Sequence, residues 1–395
     1  MRKIVQSLTV ITLMLLCGVS LIASSNMQSG SRHIPWDFVT YESPDFESQR
    51  VGRFSSQNVD YTENNGDGWI LINTYRGRQW LYYRSEPMPD IVTITISAAG
   101  DTTLGGDSRW AGYHAFMREF EQSGRDHSHF LRNVVHIFEA DDLTILNLEG
   151  TLTYATEHMD KQFVFRGPPH FAQILSSSYV DVVTIANNHT IDFFDQGYRD
   201  TTAALAAEGI AFFGNEYITI IEVNGISVGL FGHRIWQDTA HNRGRISDAI
   251  AELQERGAQL IIAYYHWGVE RNNVPEPYQV AIGRFTIDQG AHLVLGAHPH
   301  VIQGIEEHSG HHIVYSLANF SFGGNSNPPD QDSFIFQQTF TFHDGVLQPD
   351  VDINIIPIFV SSVRYRNDFQ PTIAEGADAE RILERIRAYS QMIGQ

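Results

Sequence analysis

VDVVTIANNHTID, residues 180–192, joins a short β-branched run to a polar cluster, and that junction decides the fold. Val180–Ala186 is brief and mostly β-branched or aliphatic, as a strand covered on both faces is. Asn187-Asn188-His189 then puts an amide oxygen and an imidazole where the strand stops. The junction recurs along the chain. Ile91–Ala98 leads to Gly100-Asp101, and Leu143–Asn147 runs into Leu148-Glu149-Gly150. Leu260–Tyr265 leads to His266-Trp267-Gly268, and Leu293–Leu295 passes through Gly296-Ala297 to His298-Pro299-His300. Ile226–Phe231 and Ile313–Ser316 read as further strands. Helical stretches lie between, among them Thr201–Glu208 before Gly209 and Ser247–Arg256 before Gly257. Residues 333–361 change to alternating strands, and 376–393 to an amphipathic helix. The expected class is α/β, with one mixed sheet or two stacked sheets.

Ligands of α/β sheets gather beyond the carboxyl ends of strands, so the five polar junctions are expected on one rim. His298 and His300 are two apart. Pro299 fixes its own φ and biases His298 toward extended backbone, which would aim both imidazoles at one centre. Carboxylate, amide oxygen and imidazole together suit Mn, Fe, Zn or Co better than Mg or Ca. Each residue alone has a plain structural reading: a satisfied histidine, a turn for Asn188, a cap for Asp101. Five such residues at successive strand ends favour a metal centre instead.

The rest of the chain bounds the function. The net charge is −20, which disfavours nucleic acid and anionic lipid as partners. Residues 1–25 carry Arg2, Lys3, an apolar run from Leu8 to Ala23 and the small residues Ala23-Ser24-Ser25. They read as an export signal or an uncleaved N-terminal anchor. The single cysteine, Cys17, falls in that run, so disulfides and thiolate ligands are not expected beyond it. Lys3 and Lys161 are the only lysines. Residues 26–90 divide into a polar linker, 26–45, and a small β segment. Its hairpin has arms Gly68–Thr74 and Gln79–Tyr83, and the segment is similar to the SH3-like modules of exported bacterial proteins. Residues 91–395 form the main domain, with a boundary near Pro87–Asp90.

The ordered motifs resemble those of the CapA-type poly-γ-glutamate capsule synthesis family. They are Gly100-Asp101, Asn147–Glu149, Phe165–Pro169, Ala186–Asp192, His266–Glu270, Gly296–Val301 and Tyr315–Phe320. Ala318 stands where that family usually has glycine. The family in turn resembles the calcineurin-type metallophosphatases, which implies an α/β/β/α sandwich. The resemblance implies that Asp101 and His300 hold one metal, that Glu149 bridges two, and that Asn188, His266 and His298 hold the second. His189 would be the catalytic acid. Asp101-Thr102-Thr103 replaces the usual Asp-x-His, so the first metal lacks one ligand and the site holds one or two divalent ions of Mn, Fe or Zn. Arg166 and Glu270 lie beside motifs as candidate substrate contacts, and Asp192 and Asn319 as groups that orient ligands. Trp267 and Tyr315 are expected to pack the rim. His233, Arg234, His241, His311 and His312 lack motif support and are expected on the surface or in loops.

The implied function is an exported, cell-envelope, metal-dependent hydrolase-like protein in poly-γ-glutamate synthesis or export. It would handle an amide or a phosphoester bond. Its partners would be an anionic envelope polymer or a phosphorylated small molecule, with a membrane-bound synthesis complex. Two alternatives stay open: a two-metal phosphoesterase on a small or lipid-linked phosphate, and a non-catalytic, metal-stabilised assembly component.

Overall fold

The computed structural model describes residues 30–34, 38–44, 48, 50–54, 57–64, 69–74, 77–82 and 91–394. The export segment, the 87–90 boundary and the tip of the hairpin lie outside these. The chain divides into two compact units, Met1–Pro87 and Met88–Gln395. No helix among the described residues is long and apolar enough to cross a membrane.

The first unit is an antiparallel sheet in the order Gly30–Ile34, Gln57–Asn64, Trp69–Thr74, Gly77–Tyr82, Phe38–Tyr41, Arg50–Phe54. The expected hairpin is there, with Trp69 opposite Tyr82 and Thr74 opposite Gly77. Val59, Tyr61, Ile70, Ile72 and Leu81 fill its core. The stretch read as a linker instead contributes two strands, because Gly30–Ile34 and Phe38–Tyr41 find ladder partners far along the chain. Polar composition alone does not reveal such non-local pairing.

The second unit is a mixed α/β fold with two large sheets. In one, Ala211–Phe213, Val182–Thr184, Leu143–Leu148 and Ile91–Thr103 run parallel. Asp332–His343, Val346–Phe359 and Thr372–Ile373 extend it antiparallel. The other sheet has Ile226–Ile235, Leu260–Trp267, Leu293–Ala297 and His311–Val314 in parallel. Thr219–Val223 and Ile305–His308 are its antiparallel edges. Leu260–Tyr265 and Leu293–Ala297 are continuous apolar runs, buried throughout because both their faces are covered, whereas the first half of Ile91–Thr103 alternates with Thr93 and Thr95. One apolar cluster joins the sheets, with Ile94, Ile96 and Ile145 against Leu230, Ile262 and Leu295. On the far side of the first sheet, Leu146 and Val183 share a cluster with Phe116, Phe171 and Leu205. On the far side of the second, Phe231 and Ala263 share one with Ile246, Leu253 and Ile282.

Two helices begin well before their expected starts. Phe194–Ala207 precedes the expected Thr201, because Asp195, Gln196 and Gly197 blur the apolar spacing. Ala240–Glu255 precedes the expected Ser247, since Thr239 is its true cap and accepts from the Asn242 amide. Gly209 and Gly257 end the two helices in the left-handed region, as expected.

One group at the strand bottoms makes stability pH-dependent. Burial raises the Asp141 carboxyl to about 7, against the Ser97 and Thr144 hydroxyls that bond it, with Asp181 and Asp142 adding repulsion. A raised acid costs nothing below its unfolded pKa and its full penalty above the folded one, so this cost grows between about pH 4 and pH 7. Asp141→Asn should therefore raise Tm by a few degrees at pH 8 and leave it unchanged at pH 4. An equal shift at both pH values would mean that the charge is not responsible.

Candidate metal centre

The carboxyl ends of the parallel strands of both sheets meet in one buried polar cluster. The register of Ile91–Thr103 against Leu143–Leu148 shifts there, between Ala99 and Asp101, beside a close approach. The Asp101 amide donates to the Ala318 carbonyl at 2.9 Å, and a Cβ on Gly100 would lie 1.9 Å from that oxygen. Only glycine fits. Ala318 itself has φ 60°, a left-handed conformation that a glycine would adopt without strain.

Asp101 and Glu149 are both wholly buried. Asp101 accepts from the Asn147 amide at 2.7 Å and from the His298 N–H at 3.1 Å, and lies 3.0 Å from His300 Nδ1. Neither carboxylate oxygen of Glu149 has a hydrogen-bond partner. Around Oε1 stand His266 Nε2 at 3.6 Å, His189 Nε2 at 3.9 Å and His300 Nε2 at 4.0 Å. Asn188 Oδ1 is 2.8 Å from His266 Nε2. His298 Nδ1 is likewise buried without a partner. Three groups have donor atoms within 4.8 Å of one another: Asp101, Glu149, His300; Glu149, His266, His298; and Glu270, His298, His300.

The electrostatics ask for a cation. Burial, then the neighbouring Asp101 charge, pushes Glu149 well above the usual carboxylate range. Burial also holds His266 well below its ordinary value and His298 down to about 4. His300 moves the other way: burial opposes its charge, but Glu149 and Asp101 outweigh it and raise the ring to about 10. Two carboxylates facing imidazole nitrogens, several donors having no other partner, make a set that fits a divalent transition metal.

The neighbouring groups orient these donors. His300 Nδ1–H donates to Asn319 Oδ1 at 2.9 Å, turning Nε2 toward Glu149. Asn187 donates to Asn147 Oδ1 at 3.1 Å and to the Leu148 carbonyl at 2.8 Å. His189 Nδ1–H donates to Asp192 Oδ2 at 2.6 Å while its ring stacks on Phe165, centroids 4.0 Å apart. Lys161 Nζ bridges Asp192 Oδ1 at 2.5 Å and the Asn188 carbonyl at 2.8 Å. Trp236 packs its ring 4.7 Å from His298.

The structure thus brings Asp101, Glu149, Asn188, His189, His266, His298 and His300 together, with exposed Glu270 beside His298 and His300. Arg166 is engaged elsewhere: its guanidinium donates to the Ala155 carbonyl and lies 5.2 Å from the centroid of the Phe193 ring. The route by which His298 and His300 converge differs from the extended one expected. Their φ angles are 97° and 58°, so the turn, not strand alternation, brings the rings to 5.9 Å. Trp267 and Tyr315 are core rather than rim, fully buried and stacked at 5.8 Å. His233 and His312 are buried within strands, not on the surface. Sequence reasoning passed over Asn187, Lys161, Trp236 and the anchoring role of Asn147. Asn187 and Asn147 lay inside motifs already singled out, and Lys161 is the one lysine after Lys3, whereas Trp236 had no signal.

A two-sheet α/β unit whose strand ends enclose Asp, Glu, Asn and His side chains able to hold a metal ion defines the class. The chain belongs to the family described as bacterial capsule synthesis protein PGA_cap, whose model matches residues 95–324. It is similar to the PGA biosynthesis protein CapA of Bacillus subtilis, 29% identical over 223 residues, 51% of this chain and 58% of that protein. The capsule biosynthesis protein CapA of Bacillus anthracis is 25% identical over 264 residues, 58% of this chain and 60% of that one. The chain thus spans about three fifths of the length of these two relatives. A probable polyglutamine synthesis accessory protein of Mycobacterium tuberculosis is 26% identical over 291 residues, 65% of this chain and 74% of that protein. A solved structure of a hypothetical protein from Thermus thermophilus aligns with a TM-score of 0.40 at 16% identity, over 67% of this chain and 99% of that one.

Proposed function

We propose that this chain is an exported, metal-dependent hydrolase-like protein that acts on or with an anionic envelope polymer during poly-γ-glutamate capsule synthesis or export. One observation carries the reading: the buried Glu149 carboxylate has no hydrogen-bond partner and faces three imidazole nitrogens 3.6–4.0 Å away. An ionised carboxylate is not left so unless a cation or a proton completes it. Residues 91–395 are the part proposed to carry this chemistry, with 26–90 an accessory β segment and 1–25 the export signal or anchor. The three apolar layers of that part support a calcineurin-type α/β/β/α sandwich.

Asp101, Glu149 and His300 are proposed to hold one ion, and Glu149, Asn188, His266 and His298 a second. When bound, such ions polarise a carbonyl or phosphoryl oxygen and lower the pKa of water. His189 is the proposed acid. A proton taken up at Nε2 is stabilised by Asp192 behind the ring, and the stacked Phe165 shields it from solvent. The sharing of Glu149 between two ligand groups favours one alternative, a two-ion phosphoesterase. Two divalent ions against two carboxylates leave about +2, matched to a phosphate dianion, whereas one leaves the site near neutral and matched to an amide.

Metal content of the purified chain, measured by plasma mass spectrometry against Asn188→Ala and His298→Ala, tests the reading. About two transition metals per chain, reduced in both variants, is the expected result for phosphoester chemistry. One metal favours an amide or a structural role. None, after reconstitution with Mn, Fe or Zn, overturns the proposal. His189→Ala then separates an enzyme from an assembly component, because only an enzyme loses function with its metal retained.

A further inference from the structure

We infer that Arg234, walled by Trp236, is an oxyanion-binding corner beside the metal centre, where a carboxylate or phosphate of the substrate is held. The inference rests on the reading above and adds to it the group that recognises the substrate. Arg234 pairs in register with His266 on the neighbouring parallel strand, about 4.8 Å away. Both side chains leave the same face. Val228 and Leu230 lie in the apolar cluster between the sheets, as do Ile262 and Tyr264, and strand side chains two apart share a face. Phe231 and Ile235 belong to the opposite, helix-covered side.

Arg234 is exposed, and among the described residues its guanidinium has no hydrogen-bond, ion-pair or ring partner. Several other cations of this unit are committed. Arg166 serves the Ala155 carbonyl and Phe193, Arg109 pairs with Asp107, and Lys161 with Asp192. In a chain of net charge −20, a free guanidinium next to a buried cluster is a local exception. Its planar fork matches a carboxylate or phosphate, and half-exposed Trp236, seated on His298, keeps water from one side. In a γ-linked glutamate chain the carbon next to each amide nitrogen carries a carboxylate. An amide placed at the centre therefore presents an oxyanion within reach of the adjoining strand.

The test uses the full chain reconstituted with Mn or Zn, its metal content measured, and titrated by calorimetry with γ-glutamyl-glutamate and, separately, inorganic phosphate. The variants are Arg234→Met, Arg234→Lys and Arg271→Met. Arg271 is an exposed guanidinium that likewise has no partner among the described residues, and its backbone N–H donates to the Pro299 carbonyl at 2.8 Å. Arg234→Met should keep its metal and weaken one probe about tenfold or more, with Lys restoring part and Arg271→Met losing little. A loss for the dipeptide marks a carboxylate site, and a loss for phosphate a phosphate site. Equal binding by metal-loaded wild type and Arg234→Met, no binding by either, or a loss only in Arg271→Met overturns the inference while the metal reading stands. A wild type that takes up no metal overturns both.

Discussion

Glu149→Gln should move metal binding and stability in opposite directions. Metal uptake is expected to fall about a hundredfold or more, because the shared oxygen donor becomes a neutral amide. The metal-free protein is expected to gain about 1–3 kcal/mol. The gain follows from what surrounds the carboxylate: it is wholly buried, both oxygens lack a donor, and Asp101 repels it. A glutamine of nearly the same shape carries no charge to desolvate, and its N–H groups can donate to the unprotonated imidazoles. The sign with pH follows. Because burial raises the folded pKa, the penalty is absent below the unfolded carboxyl pKa of about 4 and grows as pH rises. The advantage of glutamine should thus shrink toward pH 4. Urea unfolding of chelator-treated proteins, beside their metal content, measures both halves. A glutamine variant less stable than wild type without metal would show that the carboxylate is already satisfied, and would remove the main support for the metal reading.

The strand ends and the clustered donors were legible in the sequence for one physical reason. A strand covered on both faces must be a continuous apolar run, so the first polar residue after it announces the rim. Where that rule weakened, so did the reading. The run from Ile226 is expected to stop at Phe231, where Gly232, His233 and Arg234 interrupt the apolar residues. The strand continues to Ile235, with His233 buried beneath helix Ala240–Glu255 and bonded to Arg245 at 3.0 Å. Arg234 is exposed, in line with the expected surface or loop position, but its place in a strand and its register with His266 were invisible. Asn187 carries the same turn signature as any loop asparagine. What distinguishes it is a partner 40 residues away, and nothing local encodes that. The left-handed backbone of His298 and His300 was hidden too, since local preference disfavours it and the surrounding packing imposes it.

The second large effect concerns the only lysine after Lys3. Lys161→Met should cost about 3 kcal/mol, because it leaves the Asp192 carboxylate buried without its counter-ion. Asp192 is wholly buried and accepts from the Phe165 amide at 2.5 Å and from His189, but these bonds only partly replace a full charge. Lys161 is about a quarter exposed, with side-chain accessibility of 27%, which keeps the expectation at the lower end for such pairs. Arginine should restore only part of the loss. An ammonium fits as a point between Asp192 Oδ1 and the Asn188 carbonyl, whereas a planar fork is too wide for that seat. The decisive comparison is the cycle with Asp192→Asn. If the charges stabilise each other, Lys161→Met combined with Asp192→Asn should cost less than the two single changes added, by about 1–3 kcal/mol. The Met variant should also take up less metal, since the Asn188 carbonyl loses the donor that fixes its loop. A Met variant within about 0.5 kcal/mol of wild type would mean that solvent already neutralises Asp192. His189 would then be oriented by the carboxylate alone.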